Sequence, residues 1–141
     1  MNYLDLAKQL MQAMHLLKKS KPKVNVIDVL QGGTFILQYL LDRNEAVLPN
    51  EISSEMEIST SRIAAALNNL EQKRLINREI NKNDRRQILV TLTTEGKELA
   101  EKQRQEVETH ISHMLQGLGE HDAMEFVRIL NKIVSLEGKI V

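Results

Sequence analysis

Residues 75–93 contain two short apolar runs separated by a polar turn, and no other segment constrains the fold as strongly. Residues 75–80 alternate in the manner of a half-buried strand, and residues 88–92 form a second, β-branched run. Between them, residues 81–84 supply turn formers, and Arg85 and Arg86 place two adjacent cations at the tip. The pattern predicts a β-hairpin with a basic tip. Because an isolated two-stranded hairpin is marginally stable in water, this one must pack against neighbouring helices.

Four helices are predicted before the hairpin. Apolar residues recur at spacings of three and four in residues 2–19, which predicts an amphipathic first helix, and a second helix follows Gly33. Pro49 predicts the first turn of a short third helix that reaches about Met56. Ser59 is a favourable N-cap for the fourth helix. The buried stripe predicted for that helix comprises Ile63, Ala66, Leu67 and Leu70.

The opposite face of the fourth helix is small and capable of hydrogen bonding. A short helix, a tight turn and a polar-faced helix together form a helix-turn-helix unit, and the hairpin that follows makes the unit winged. Asn68 can pair in bidentate fashion with adenine, and Arg62 can contact phosphate or guanine in a major groove. Ala65 is small enough to allow close approach to DNA.

The hairpin tip has the chemistry of a second DNA contact. An arginine can enter a narrow minor groove, where negative potential is strongest, and we assign this role to Arg86 and the adjacent phosphate to Arg85. Asp84 is the local partner that supports the wing. The full set of predicted DNA-binding residues is Ser59, Thr60, Ser61, Arg62, Ala65, Asn68, Asn69, Lys82, Arg85 and Arg86.

Two further helices are predicted after the hairpin. Thr93 or Thr94 caps a long fifth helix that runs to about Leu118, and a sixth helix follows Gly119. Residues 101–106 are wholly polar, which predicts a segment that crosses open solvent. The terminal helices carry more apolar residues than a small winged domain can cover, so a second copy of the chain is the simplest partner.

Charge and composition indicate some classes of protein and exclude others. Net charge is zero, yet residues 59–90 hold seven Lys and Arg against three Asp and Glu, which indicates a nucleic-acid partner. The chain has no cysteine, so thiol chemistry and cysteine metal sites are excluded. No catalytic triad, carboxylate pair or phosphate loop is evident, so we expect neither an enzyme nor a cofactor. No apolar run of about 18 residues and no secretory signal is present, so we expect a cytoplasmic protein without membrane association.

Three segments resemble the multiple antibiotic resistance regulator (MarR) family. Residues 84–93 reproduce the wing signature of that family, Asp-x-Arg followed after five residues by Leu-Thr. Residues 70–78 resemble its junction between helix and strand, and residues 93–96 match the start of its next helix. The similarity is densest from about residue 51 to residue 99, and the order of six helices extends it to the full length.

The resemblance implies a mainly α fold with a small β-hairpin wing. In a single domain spanning residues 1–141, residues 30–92 would form the winged helix-turn-helix DNA-binding part, and residues 1–20 and 95–141 the N- and C-terminal dimerisation helices. The resemblance further implies a homodimeric repressor that binds an inverted-repeat operator in double-stranded DNA and is released by a small-molecule effector. With two Phe, two Tyr and no Trp, no residue marks the effector pocket.

Arg74 departs from the family pattern. The family usually has glycine after the recognition helix, at a position that commonly adopts a left-handed backbone conformation. A positive φ at Arg74 would cost about 1 kcal/mol. Otherwise the helix must end differently.

Two alternative functions stay open at the level of sequence. Zero net charge and the four acids that border the supposed DNA face, Glu45, Glu51, Glu55 and Glu57, suit a winged-helix protein-interaction module without DNA binding. His110 and His113 lie three residues apart, and with His15 or His121 they suit a zinc-responsive regulator. The simpler interpretation of these histidines is that they are surface or interface residues, and we predict no metal site.

Overall fold

The computed structural model describes residues 1–19 and 34–140, which form six helices and one two-stranded sheet. The elements are α1 (Tyr3–Lys19), α2 (Thr34–Arg43), α3 (Pro49–Met56), α4 (Thr60–Gln72), β1 (Ile76–Ile80), β2 (Ile88–Leu92), α5 (Thr94–Leu118) and α6 (Glu120–Ile140). This order confirms the mainly α fold with a hairpin wing. Some predictions lie outside the described residues. They are the glycine turn before the second helix and, within the predicted dimerisation and DNA-binding parts, residues 20, 30–33 and 141. Within the described ranges, no helix is both long and apolar enough to cross a membrane.

An aliphatic core holds α2, α3, α4, the hairpin and the first turns of α5 together. The stripe predicted for α4 is confirmed, because Ile63, Leu67 and Leu70 are buried and Ala66 packs against them. Burying such side chains is the main favourable contribution to folding. The largest fully buried side chains are Ile36, Leu37, Val47, Ile52, Ile63, Leu67, Ile76 and Val90.

The hairpin is anchored at its base and exposed at its far end. Its antiparallel register runs from Ile76 opposite Leu92 to Ile80 opposite Ile88. Val47, in the segment between α2 and α3, exchanges two backbone hydrogen bonds with Val90, of 3.0 and 2.8 Å. The base is therefore part of the core, whereas Ile80 and Ile88 are 64% and 46% exposed.

Two predicted N-caps determine where α4 and α5 begin. The Ser59 hydroxyl accepts a hydrogen bond from the backbone N–H of Arg62 at 3.3 Å. The Thr93 hydroxyl accepts one from the backbone N–H of Gly96 at 2.9 Å. Each cap satisfies a donor that the first helical turn leaves unpaired.

Helix α4 ends in a Schellman motif with an arginine where glycine is usual. Arg74 has φ of 60°, so of the two alternatives that the sequence left open the left-handed conformation is the one adopted. Its N–H donates to the carbonyl of Glu71, and the N–H of Leu75 donates to the carbonyl of Leu70, both at 2.9 Å. These two bonds define the motif, and they pair the carbonyls of Leu70 and Glu71, which offsets the backbone strain at Arg74.

The sequence predicts that the polar stretch of α5 crosses open solvent, but in the structure part of it contacts α2. Arg104 donates from Nε to Oε1 of Gln38 at 3.0 Å and forms an ion pair with Asp42. Gln38 in turn donates from Nε2 to the carbonyl of Ala100 at 2.6 Å. One side of residues 101–106 therefore packs against α2 through polar contacts, and periodicity of apolar residues cannot reveal a contact of this kind.

Candidate nucleic-acid interface

The outward face of α4 carries an unbroken set of polar and small side chains. The predicted contact residues of this helix are all exposed, and most lie opposite the buried stripe. Asn69 lies at the edge of this face and also lines a groove beside α5. The Oγ atoms of Ser59 and Ser61 lie 3.3 Å apart at the N-terminal end, so the capping residue also stands at this face. The predicted contact residues, all exposed, are Ser59, Thr60, Ser61, Arg62, Ala65, Asn68 and Asn69. Hydroxyl, amide and guanidinium groups can both donate to phosphates and bond to base edges.

Two successive β-turns build the wing tip. The N–H of Asp84 donates to the carbonyl of Asn81 at 3.2 Å, and the N–H of Gln87 donates to the carbonyl of Asp84 at 3.0 Å. Arg85 and Arg86 occupy the two central positions of the second turn. The Asn81 side chain closes the loop, because its Nδ2 donates to Oε1 of Gln87 at 3.0 Å. These hydrogen bonds fix the backbone of the tip, which carries the basic residues.

Asp84 braces the base of the Arg86 side chain. Its Oδ1 accepts from the backbone N–H of Arg86 at 3.1 Å and from Nε of Arg86 at 3.2 Å. The guanidinium of Arg86 is thus held through Nε in an ion pair with Asp84, while the side chain as a whole remains 91% exposed. Lys82 and Arg85 are also exposed on the same tip. The tip therefore presents three cations, one of them pre-oriented.

An ion pair that the sequence did not reveal joins α4 to the hairpin. Arg78 donates from Nε to Oε2 of Glu71 and from Nη2 to Oε1 of Glu71, both at 3.0 Å. The hydrogen bonds from Arg78 hold the pKa of the Glu71 carboxyl below its ordinary value, against a smaller opposing effect of desolvation. The same contact raises the pKa of Arg78. One feature of the sequence could have indicated this ion pair. Arg78 alternates with Ile76 and Ile80, so it lies on the side of the strand that begins in the core, where a charged group needs a partner.

Two of the four acids near the interface share one arginine, which offsets one of their two negative charges. Arg43 lies 3.4 Å from Glu45 and 3.5 Å from Glu51, measured from Nη2 to the carboxylate oxygens, and its guanidinium carbon lies 5.7 Å from the centroid of the Tyr39 ring. The acidic cluster that suited a protein-interaction module is therefore less negative than the sequence indicated.

The histidines of α5 receive no support as a metal site. The described residues contain no group of three or more His, Cys, Asp or Glu side chains placed to hold a metal ion. His110 is half-buried and His113 is exposed.

Comparisons with known proteins agree with this geometry. A family model described as a winged helix DNA-binding domain matches residues 34–111, more than half of the chain. The chain is 32% identical over 99 residues, 70% of each sequence, to a Bacillus subtilis (strain 168) protein described as an uncharacterized HTH-type transcriptional regulator, YwhA.

Solved structures show the same fold over nearly the whole chain. MepR of Staphylococcus aureus, a transcription regulator of the multidrug efflux pump MepA, superposes with a TM-score of 0.71 at 23% identity over 96% of this chain and 98% of that one. FabT of Streptococcus pneumoniae, solved in complex with DNA, gives 0.67 at 19% identity over 99% and 100%. The chain belongs to the winged helix DNA-binding domain family and is a transcription regulator of the MarR type.

Proposed function

We propose that this chain is a homodimeric cytoplasmic repressor that binds an inverted-repeat operator in double-stranded DNA and is released by a small-molecule effector. The observation that carries the proposal is the exposed hydrogen-bonding face of α4, followed in the chain by a wing whose tip arginine is braced by Asp84. A helix reads base edges in the major groove, and a braced arginine loses less side-chain freedom when it enters a minor groove.

The two parts of the interface have different roles in this proposal. Asn68 and Arg62 contact base edges, and Ala65 lets the helix approach closely. Ser59, Thr60, Ser61, Asn69, Lys82 and Arg85 hold phosphates, which fixes the register of the protein on DNA. Arg86 enters the minor groove beside the half-site.

The apolar surfaces of α1 and α6 support a homodimer. No residue of α1 is buried, although the helix is strongly amphipathic in sequence. On α6, Leu130 is 51% exposed and Ile133 is 48% exposed, in a row with Phe126 and Val127. Exposed apolar surface on this scale marks an interaction site, and a second copy of the chain is the simplest partner because it brings the same surfaces. We assign dimerisation to residues 1–20 and 95–141, and DNA binding to residues 30–92.

A groove between α2, α4 and α5 is our candidate location for the effector. It has a volume of about 300 Å³, and its lining includes Leu37, Leu70, Leu99, Lys73 and Gln103. The Oε1 atom of Gln103 is buried without a hydrogen-bond partner, so a ligand that donates a hydrogen bond would satisfy it. A ligand in this groove would touch both the recognition helix and the dimer helix. Filling the groove with Leu99→Phe should abolish the response to the effector while DNA binding persists.

DNA binding is tested by fluorescence anisotropy with the upstream region of the chain's own gene, at two salt concentrations. We expect a steep loss of affinity with salt, because several Lys and Arg side chains displace counterions from phosphates. Arg86→Ala should weaken binding and reduce the salt slope by about one. Lys102→Ala, which removes an exposed cation of α5 away from the interface, is the matched control and should change neither quantity.

Two outcomes would count against the proposal. Wild-type protein without a salt-dependent interaction with duplex DNA would favour a protein-interaction module. Equal affinity of wild type and Arg86→Ala would remove the wing from the interface. Sedimentation equilibrium tests the dimer separately, and Ile133→Glu should shift the protein toward monomer because it places a charge in the apolar row of α6.

A further inference from the structure

The ion pair between Glu71 and Arg78 lies where the hairpin leaves the core. On the inward side of the hairpin, the cross-strand pairs are Ile76 with Leu92, Arg78 with Val90, and Ile80 with Ile88. The first pair is held in the core, and the last is exposed. Arg78 therefore lies between an anchored and an exposed part of the same row.

The Arg78 side chain links this position to the recognition helix. Both of its hydrogen bonds reach the Glu71 carboxylate, in the last turn of α4, with a two-pronged geometry that restricts rotation as well as distance. Among the described residues, no other ion pair joins α4 to the hairpin. The wing tip lies beyond this link, so a change in the link would be amplified at Arg86.

We propose that Glu71 and Arg78 are a positioning pair that sets the angle of the wing relative to α4. With the angle fixed, Arg86 and the base-contacting residues of α4 can engage one operator at the same time, and less conformational freedom is lost on binding. This inference rests on the proposed function, because it assumes that both the wing and α4 contact DNA. In this proposal the pair acts through the geometry of the wing and makes no DNA contact of its own.

When the Glu71 charge is removed, long-range electrostatics and a positioning role predict opposite changes in DNA affinity. Replacing Glu71 with glutamine removes one negative charge from a basic segment and leaves Arg78 at most one neutral hydrogen bond, so long-range attraction to phosphate would strengthen binding. If the pair positions the wing, binding should weaken instead. Whether the Kd for DNA rises or falls therefore separates the two effects, whatever the size of the change.

The experiment compares Glu71→Gln with Glu79→Gln in anisotropy titrations against the operator. Glu79 lies on the same strand and is exposed, so its substitution makes the same charge change without breaking the pair. We expect a severalfold rise in Kd for Glu71→Gln and an unchanged or lower Kd for Glu79→Gln. Arg78→Lys keeps the charge but lacks the planar fork, so it should behave as Glu71→Gln does.

Footprinting provides a readout that a purely structural role would not change. In Glu71→Gln, hydroxyl-radical protection at the wing sites in the minor groove should be lost, while protection of guanine N7 in the major groove persists. The double variant Glu71→Arg with Arg78→Glu should recover part of the wing protection. Circular dichroism melts check that each variant is folded, and ion pairs this exposed contribute little to stability.

The outcomes also separate this inference from the proposed function. If wild type binds the operator but Glu71→Gln and Arg78→Lys bind equally tightly with an unchanged footprint, the positioning role is wrong and the proposed function stands. If wild type does not bind DNA, the proposed function fails first.

Discussion

Gly96 packs directly on the carbonyl group of Leu75. A Cβ atom placed on Gly96 would lie 1.9 Å from the Leu75 carbonyl oxygen, much closer than any real contact. The same oxygen accepts a hydrogen bond from the backbone N–H of Thr93 at 3.1 Å, and the Thr93 hydroxyl donates to the carbonyl of Arg74 at 2.7 Å. The end of α4 and the start of α5 thus form one joint, which couples the recognition helix to the helix assigned to dimerisation.

Gly96→Ala should destabilise the protein, although alanine is the better helix former. Alanine gains about 0.5–1 kcal/mol from helix propensity, but overpacking against backbone costs about 1–3 kcal/mol or more. The clash should therefore outweigh the propensity gain and lower the free energy of unfolding. Urea unfolding at fixed protein concentration measures the difference.

Gly117→Ala is the matched control on the same helix. Within one protomer, nothing lies within 4 Å of a Cβ atom built there, so the propensity gain should dominate. We expect this variant to be more stable than wild type. Equal effects of the two substitutions would show that the joint at Gly96 is not tightly packed.

Arg74→Gly should stabilise the protein by about 1 kcal/mol, because glycine adopts a positive φ without the steric cost that arginine pays. The two backbone hydrogen bonds of the Schellman motif need no side chain and should persist. Asn44, with φ of 49°, provides the comparison. Asparagine tolerates this conformation, so Asn44→Gly should gain less. A loss of stability in Arg74→Gly, measured by urea unfolding, would mean that the Arg74 side chain makes a favourable contact.

The boundaries of the elements could be predicted because their signals are local. Ser59 and Thr93 cap helices through hydroxyls that bond three residues ahead, and Pro49 suits a first helical turn. The turn residues 81–84 lie between runs of strand type, so the hairpin followed from the neighbouring sequence. The left-handed conformation at Arg74 was one of two alternatives that the family resemblance raised, and the sequence did not decide between them.

The polar contacts between elements could not be predicted in the same way. Arg104 bonds to Gln38, 66 residues earlier, and this contact exists only once α2 has docked on α5. Glu71 and Arg78 are seven residues apart across a junction between helix and strand, so neither helical nor strand periodicity relates them. These contacts depend on tertiary geometry, which the sequence does not display locally.

Removing the brace of Arg86 should weaken DNA binding even though it adds positive charge. Asp84→Ala removes the acceptor of both hydrogen bonds to Arg86, so the arginine loses its orientation and must be ordered on binding. Asp84→Asn makes the same charge change but keeps an oxygen acceptor, and should retain more affinity. Anisotropy titrations of both variants measure the effect. Tighter binding by Asp84→Ala than by wild type would show that charge, not orientation, dominates at the wing.

Asn68→Ala should change which sequences are bound more than how strongly DNA is bound overall. A bidentate amide contact to adenine discriminates by about 1–3 kcal/mol at one base pair, so its loss should relax the preference there and leave other positions unaffected. Because asparagine is neutral, the salt slope should stay as in wild type, in contrast to Arg86→Ala. Binding to a library of operators that differ at single base pairs measures both quantities. A uniform loss of affinity across the library would assign Asn68 to the phosphate backbone instead of a base edge.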